Sequence, residues 1–171
     1  MRRRILTAQQ VATTIARLAA EIGSRNQGVK DWALVGVKRR GVPLAQRLAQ
    51  RLGNVPVGAI DITLYRDDLQ LVAETPVVRG TEINFDINGR TLVLVDDVIF
   101  TGRTVRAALT ELLDFGRPRE IQLAVLIDRG HRELPIQPDF CGRVVRTKRT
   151  DLVDIYLEET DGRDEVVLTR K

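Results

Sequence analysis

Residues 92–105 read LVLVDDVIFTGRTV: four bulky apolar residues, two adjacent aspartates, three more bulky residues, then Thr101-Gly102-Arg103-Thr104. A near-continuous apolar run is the pattern of a strand buried on both faces of a parallel sheet. Open α/β sheets place their ligands at the carboxyl ends of the strands, so a strand over Thr91 to Val95 would deliver Asp96 and Asp97 to the binding edge. Two neighbouring carboxylates repel, and leaving them together is costly unless water, a cation or a hydroxyl-rich ligand sits against them. Directly behind them Gly102 lets a backbone approach closely, Thr101 and Thr104 bring hydroxyls, and the start of the next helix supplies amides at its positive end. These are the parts of a phosphate cradle. An acid pair and a phosphate cradle on one turn call for a ligand with neighbouring hydroxyls at one end and a phosphate at the other, which describes a ribose 5-phosphate.

Other readings of the turn fare worse. A Walker nucleotide site needs G-x-x-x-x-G-K-[ST] and a dinucleotide fold needs G-x-G-x-x-G, and neither pattern occurs in the chain. A phosphoacceptor receiver domain also has an acid pair after a strand, but early in the chain, and too little sequence follows here to complete one. A solvated acidic turn without a ligand is the bland reading of a bare Asp-Asp pair, and the T-G-R-T at fixed offset weighs against it.

Outward from this turn, strands and helices alternate. Thr7 and Gln10 fit a capping box, with Leu6 and Val11 placed as a hydrophobic staple. Val11, Ile15, Leu18 and Ile22 then fall on one helical face, with Thr13 and Arg17 pointing away from it. Trp32 to Val37 reads as a strand, Lys38-Arg39-Arg40-Gly41 as a basic turn, and Val42 to Leu52 as a helix that tolerates Pro43 in its first turn. Val57 to Ile62 and Ile121 to Ile127 are further strands, and Val105 to Leu113 a helix stopped near Gly116 and Pro118. This order predicts a parallel sheet wrapped by helices. Leu64 to Asn88 is too long for a connection and too polar for a core element, and is expected to be a mobile functional arm. After Asp128 the chain looks irregular through Pro135 and Pro138, before Asp154 to Leu157 and Val166 to Leu168 form an antiparallel pair.

Composition narrows the setting. A chain of 171 residues, 43% hydrophobic, can bury one substantial core and is expected to be one domain spanning 1–171. With Cys141 as its one cysteine, an intrachain disulfide and a thiolate metal cluster are excluded, which suits a reducing compartment. No apolar run approaches the roughly 20 residues of a membrane span. Arg2-Arg3-Arg4 resembles the charged start of a signal peptide, but Thr7, Gln9 and Gln10 interrupt the apolar region that should follow. The expectation is a soluble cytoplasmic protein that avoids membranes. The net charge of +4 is mild, but its distribution is not: Arg129, Arg132, Arg143, Arg146, Lys148 and Arg149 face only Glu133 and Asp139 over that stretch, and the segment from Asp151 to Glu165 is mostly acidic.

Leu92 through Thr104 resembles the signature of the type I phosphoribosyltransferases, the segment that holds phosphoribosyl pyrophosphate. It departs at Phe100, where many members carry a smaller residue. The resemblance implies a central, mainly parallel sheet flanked by helices, with a small hood and a flexible loop. It assigns Asp96, Asp97, Val98, Ile99, Phe100, Thr101, Gly102, Arg103 and Thr104 to the sugar phosphate, and Lys38, Arg39 and Arg40 to the leaving pyrophosphate, for which cationic groups and backbone donors are the fitting chemistry. Members frequently carry a non-proline cis peptide in that basic turn. Tyr65-Arg66-Asp67-Asp68 looks like the catalytic loop, with Arg66 reaching the pyrophosphate when the loop closes. Asp96, Asp97 and Arg66 are thus the expected catalytic residues. Mg2+ is expected to arrive with the substrate, as no dedicated ligand set is apparent.

Asp128-Arg129-Gly130-His131-Arg132-Glu133-Leu134-Pro135 looks like a hallmark of one subgroup, the pyrimidine operon attenuation proteins that are also uracil phosphoribosyltransferases. This implies uracil contacts from Asp128 and Arg129, largely through backbone, and conversion of uracil and phosphoribosyl pyrophosphate to UMP and pyrophosphate. It also implies a nucleotide-dependent regulator, with UMP or UTP promoting binding to the leader mRNA of the pyrimidine operon. Thr13, Arg17, His131, Arg132, Arg143, Arg146, Lys148 and Arg149 are the expected RNA-binding residues. With aromatics at only 4%, recognition would lean on shape and phosphates. Arg17 stands where many members show a histidine. The subgroup forms homodimers or homotetramers. The alternative is a salvage transferase for uracil or a purine, without RNA-binding regulation.

Overall fold

The computed structural model describes residues 1–62 and 80–171. Its centre is a five-stranded sheet built from β2 (Trp32–Val37), β3 (Val57–Ile60), β4 (Thr91–Ile99), β5 (Glu120–Asp128) and β6 (Phe140–Val144), after β1 (Arg2–Leu6), which lies elsewhere. The spatial order is β3-β2-β4-β5-β6, and every pairing is parallel. From β2 the chain winds outward to β3, and from β4 it winds the opposite way, so the winding reverses between β2 and β4. Such a switch point leaves a crevice beyond the carboxyl ends of the two strands. The basic turn follows β2 and the acidic turn ends β4, which sets both on that crevice.

Helices cover both faces of the sheet, as near-continuous apolar strands require. α1 (Ala8–Arg25) and α2 (Gly41–Arg51) bury Val11, Ile15, Leu18, Leu44 and Leu48 against Leu34, Val93 and Val95. α3 (Arg103–Phe115) buries Val105, Ala108 and Leu112 on the opposite face against Val35, Leu92 and Leu94. The capping box of α1 is formed: the Gln10 N–H donates to the Thr7 hydroxyl at 3.2 Å and the Thr7 N–H donates to the Gln10 side-chain oxygen at 2.9 Å, an arrangement worth about 1 kcal/mol. Among the described residues no helix is long and apolar enough to cross a membrane.

The second sheet is a three-stranded antiparallel hood, ordered β1-β8-β7, from β1, β7 (Leu152–Tyr156) and β8 (Glu165–Thr169), with the short helix α4 (Glu158–Asp161) between β7 and β8. Two arginines, Arg40 just before α2 and Arg47 within it, latch this hood down. Arg40 donates to both carboxylate oxygens of Asp161, at 3.1 and 2.9 Å. Arg47 grips Glu159 and Asp164, each through two hydrogen bonds of 2.7 to 2.8 Å. The Arg47 hydrogen bonds hold both of those carboxyls below the ordinary carboxylate range, and Arg40 does the same for Asp161.

Several boundaries differ from those expected. The strand expected to stop at Val95 continues to Ile99, because β5 is long enough to keep pairing with it: Asp96 lies opposite Val125 and Ile99 opposite Asp128. The strand expected over Val57 to Ile62 ends at Ile60. The stretch after Asp128 is not wholly irregular, since Phe140–Val144 supplies the edge strand β6. Arg2-Arg3-Arg4, which resemble a signal-peptide start, belong to β1. Of the expected arm, residues 64–79 fall outside the described residues, and its far end packs on the body. Ala59 and Glu82 exchange two backbone hydrogen bonds of 2.8 Å, Ile83 and Phe85 rest on the core, and Ile87 is buried.

Candidate active site

The crevice between the basic and acidic turns is a cleft of about 340 Å³. Of the residues expected to bind substrate, Lys38, Arg39, Arg40, Asp96, Asp97, Val98, Ile99, Phe100, Gly102 and Thr104 line it, together with Val37 and Val105. Two glycines bring its walls this close. A Cβ on Gly41 would stand 2.4 Å from the Val95 carbonyl oxygen, and one on Gly36 would stand 2.6 Å from the Gly41 carbonyl oxygen. The backbones of β2, the start of α2 and β4 are therefore in contact with no room for a side chain. The Lys38–Arg39 peptide in the basic turn is cis.

The acidic wall is fixed by its own backbone. The Asp97 N–H donates to an Asp96 carboxylate oxygen at 2.8 Å and the Val98 N–H donates to an Asp97 carboxylate oxygen at 2.9 Å. Burial pushes the Asp97 carboxyl above the ordinary aspartate range, against the opposing pull of the Asp96 hydrogen bond, the Val98 N–H and the Arg40 charge. At the far end, Gly102 caps α3 with φ of 92°, a conformation that favours glycine. The first N–H groups of a helix have no carbonyl one turn earlier to bond, and here that turn borders the cleft through Gly102, Thr104 and Val105. Thr101 and Arg103 are not in the lining. Thr101 is buried and its hydroxyl accepts the Arg103 N–H at 3.2 Å, while the Arg103 guanidinium donates to Glu133 at 2.9 Å. Their part is to shape the turn.

The basic wall is less uniform than its sequence. Arg40 is tied to Asp161 by two hydrogen bonds, so Arg39, exposed and without an ion pair among the described residues, is the arginine of this turn left for an incoming anion. Asp161 is a residue that sequence reasoning missed, and nothing in the sequence marks it, 121 positions away from Arg40. Arg66 and its neighbours Tyr65, Asp67 and Asp68 lie outside the described residues. No group of three or more His, Cys, Asp or Glu side chains suited to a metal occurs among the described residues.

Asp128 and Arg129 lie behind Phe100 instead of lining the cleft. The Asp128 carboxylate accepts the Gly130 N–H at 2.9 Å and the Arg132 guanidinium at 2.6 Å. Arg129 is buried, stacks its guanidinium 3.9 Å from the centre of the Phe100 ring, and donates to the Lys148 carbonyl at 3.1 Å. His131 meets the same ring edge-on at 5.8 Å and contacts the Thr147 carbonyl through Nε2 at 2.8 Å. Phe100 thus has the cleft on one side and the segment carrying Thr147, Lys148 and Arg149 on the other.

The expected RNA-binding residues separate into two groups. Thr13, Arg17 and Arg143 line a groove of about 360 Å³, and Arg143 and Arg146 line the groove beside it. His131, Arg132, Lys148 and Arg149 instead surround the back of Phe100. Three members of the set already bond carboxylates. Arg132 donates to the Phe100 carbonyl, the Ile136 carbonyl, Asp128 and Gln137. Arg17 pairs with Glu21 at 2.7 Å and caps the Gly142 carbonyl of edge strand β6. Arg149 bonds Glu133, which also holds Arg103.

Comparison with known proteins agrees with this geometry. Residues 1–150 match the model of the phosphoribosyl transferase domain. The chain is similar to the bifunctional protein PyrR of Roseiflexus sp., 58% identical over 94% of this chain and 90% of that one. It is also similar to the bifunctional protein PyrR of Chloroflexus aurantiacus, 55% identical over 98% of this chain and 95% of the other. Among solved structures, a hypoxanthine phosphoribosyltransferase from Staphylococcus aureus superposes with a TM-score of 0.76 over 99% of this chain and 91% of that chain, at 19% identity. That likeness is one of fold.

Proposed function

The chain belongs to the phosphoribosyl transferase domain family, and from that premise we propose that it transfers the phosphoribosyl group of phosphoribosyl pyrophosphate to uracil and, as one domain spanning 1–171, regulates transcription by binding the leader RNA of the pyrimidine operon when a uridine nucleotide fills the cleft. The observation that carries the first half is the cleft at the winding reversal, with two carboxylates on one wall, a helix start at one end and a basic turn opposite. In the reaction the bond from the anomeric carbon to the pyrophosphate oxygen breaks, the uracil nitrogen bonds to that carbon, and the proton of that nitrogen passes to the departing pyrophosphate or to solvent. Positive charge builds on the ribose while negative charge builds on the leaving group. Asp96 and Asp97 hold the ribose hydroxyls and stabilise the cationic sugar, the amides at the start of α3 and the Thr104 hydroxyl hold the 5-phosphate, and Lys38, Arg39 and Arg66 receive the pyrophosphate. The two carboxylates and the substrate's own phosphates are hard oxygen donors that suit Mg2+ arriving with the substrate, where it would draw charge from the leaving pyrophosphate.

The regulatory half rests on Phe100. Its ring borders the cleft and is packed from behind by Arg129, His131 and Arg149, with Arg129 bonded to the backbone of the basic segment. Filling the cleft therefore bears on residues that are also placed to meet RNA. The relatives that carry the name bifunctional protein PyrR, matched over 95% and 90% of their length, support this reading over a salvage transferase alone. The test is a titration of UMP into protein and leader RNA, beside the same titration with GMP. UMP is expected to tighten RNA binding by between about 5- and 150-fold, the usual span of coupling between two sites, with GMP failing to reproduce it. RNA affinity indifferent to UMP would leave the transferase and remove the regulator.

A further inference from the structure

Resting on the RNA-binding half of that reading, we propose that the groove between the hood and the end of β6 is a further seat for the RNA backbone, with Arg3 and Arg170 as phosphate contacts that the basic segment from Arg129 to Arg149 does not include. The groove encloses about 190 Å³, and four arginines line it: Arg3, Arg143, Arg146 and Arg170. Strand geometry gathers them. Arg3 pairs with Leu168 across the β1–β8 ladder, and the Arg170 N–H continues the ladder to the Met1 carbonyl at 2.9 Å. Side chains alternate along strands, so Arg3, Ile5, Leu168 and Arg170 share one face of the hood, and that face meets Val144 and Arg146 just past Arg143.

Among the described residues, no carboxylate pairs with an arginine of this groove. Arg40, Arg47, Arg103, Arg132 and Arg163 all bond carboxylates. Arg3, Arg146 and Arg170 make no side-chain hydrogen bond or ion pair among the described residues, and Arg143 bonds only the Ile5 carbonyl, at 3.3 Å. Convergent like charges repel, so such a cluster gains most from a polyanion that neutralises several at once and releases its counterions. Apolar residues complete the match: Ile5 and Leu168 lie in the groove, and Val144, 69% exposed, stands at it. A ribose or a base face can rest there while guanidiniums take the flanking phosphates. The groove shares Arg143 with the one lined by Thr13 and Arg17, so the two adjoin.

The experiment is filter binding of a leader RNA hairpin, with UMP present and over a range of salt, to the parent chain, to R3Q/R170Q, to V144E and to R143Q. The double variant is expected to bind about tenfold more weakly, with the slope of log affinity against log salt smaller by between about 1 and 2. Transfer to uracil should be unchanged, and V144E, which sets a carboxylate in the groove, should weaken RNA binding as well. Parent-like affinity and slope for R3Q/R170Q and V144E overturn the proposal. If R143Q still weakens binding in that case, only this groove falls; if R143Q also binds as the parent does, the RNA-binding reading falls with it. A changed sedimentation mass for R3Q/R170Q at unaltered RNA affinity would make the groove a subunit contact and likewise overturn the proposal.

Discussion

Replacing Asp96 and Asp97 together by asparagine is expected to lower kcat/KM for phosphoribosyl transfer by about a thousandfold, with the folded state intact. Asparagine keeps the side-chain oxygen that each aspartate offers to the next backbone N–H, at 2.8 Å for Asp96 and 2.9 Å for Asp97. What disappears is the negative charge facing a sugar that turns cationic as pyrophosphate departs. Removing two crowded carboxylates also relieves repulsion, so a thermal melt should not fall. The parent enzyme carries a second sign of the same chemistry. Burial lifts the Asp97 carboxyl, and the ionised form is the one that stabilises the sugar. Activity should therefore be lost as pH falls through a value above the ordinary aspartate range. Steady-state turnover of the double variant, with a pH profile of the parent, checks both. Unchanged turnover in a well-folded D96N/D97N variant would remove the acid pair from the mechanism.

Replacing Gly41 by alanine is the second large effect, and it acts on fold and site together. The new Cβ would sit 2.4 Å from the Val95 carbonyl oxygen, a distance that backbone atoms cannot keep. The start of α2 must then move off β4, at a cost of about 3 kcal/mol, the upper end for overpacking a well-filled interior. The basic turn moves with it. A shift of about 1 Å in a positioning element is enough to cost about a hundredfold in rate, so turnover should drop further than the loss of stability explains. Urea unfolding and turnover of G41A at a temperature where it is folded measure the two effects. Parent-like values for both would mean that the contact between the turns does not set the site.

The uneven legibility of the sequence has a physical basis. The acidic turn was readable because its strand, carboxylates, glycine and helix start are contiguous, and each restricts the chemistry of the next. The capping box of α1 was readable for the same reason, within four residues. The edge strand β6 was not, since FCGRV has one buried bulky residue, and its pairing depends on β5 and on the Arg17 guanidinium at the Gly142 carbonyl. Nor was β1: three arginines look like a charged tail until β8, from the other end of the chain, is laid beside them. An edge strand with charged side chains is protected from pairing with other chains. The latch of Arg40 and Arg47 onto Asp161, Glu159 and Asp164 joins residues more than a hundred positions apart, and in the sequence Arg40 is simply one more cation in a basic turn. The same holds for Arg129 and Arg132, expected to meet uracil and RNA, whose packing behind Phe100 no spacing in the sequence shows.

The most direct measurement is a crystal structure of the chain with UMP bound. The 5-phosphate should lie within hydrogen-bonding distance of the amides at the start of α3, with the ribose hydroxyls against Asp96 and Asp97 and the base beside Phe100. UMP lodged in a different groove, with this cleft holding only solvent, would contradict the account.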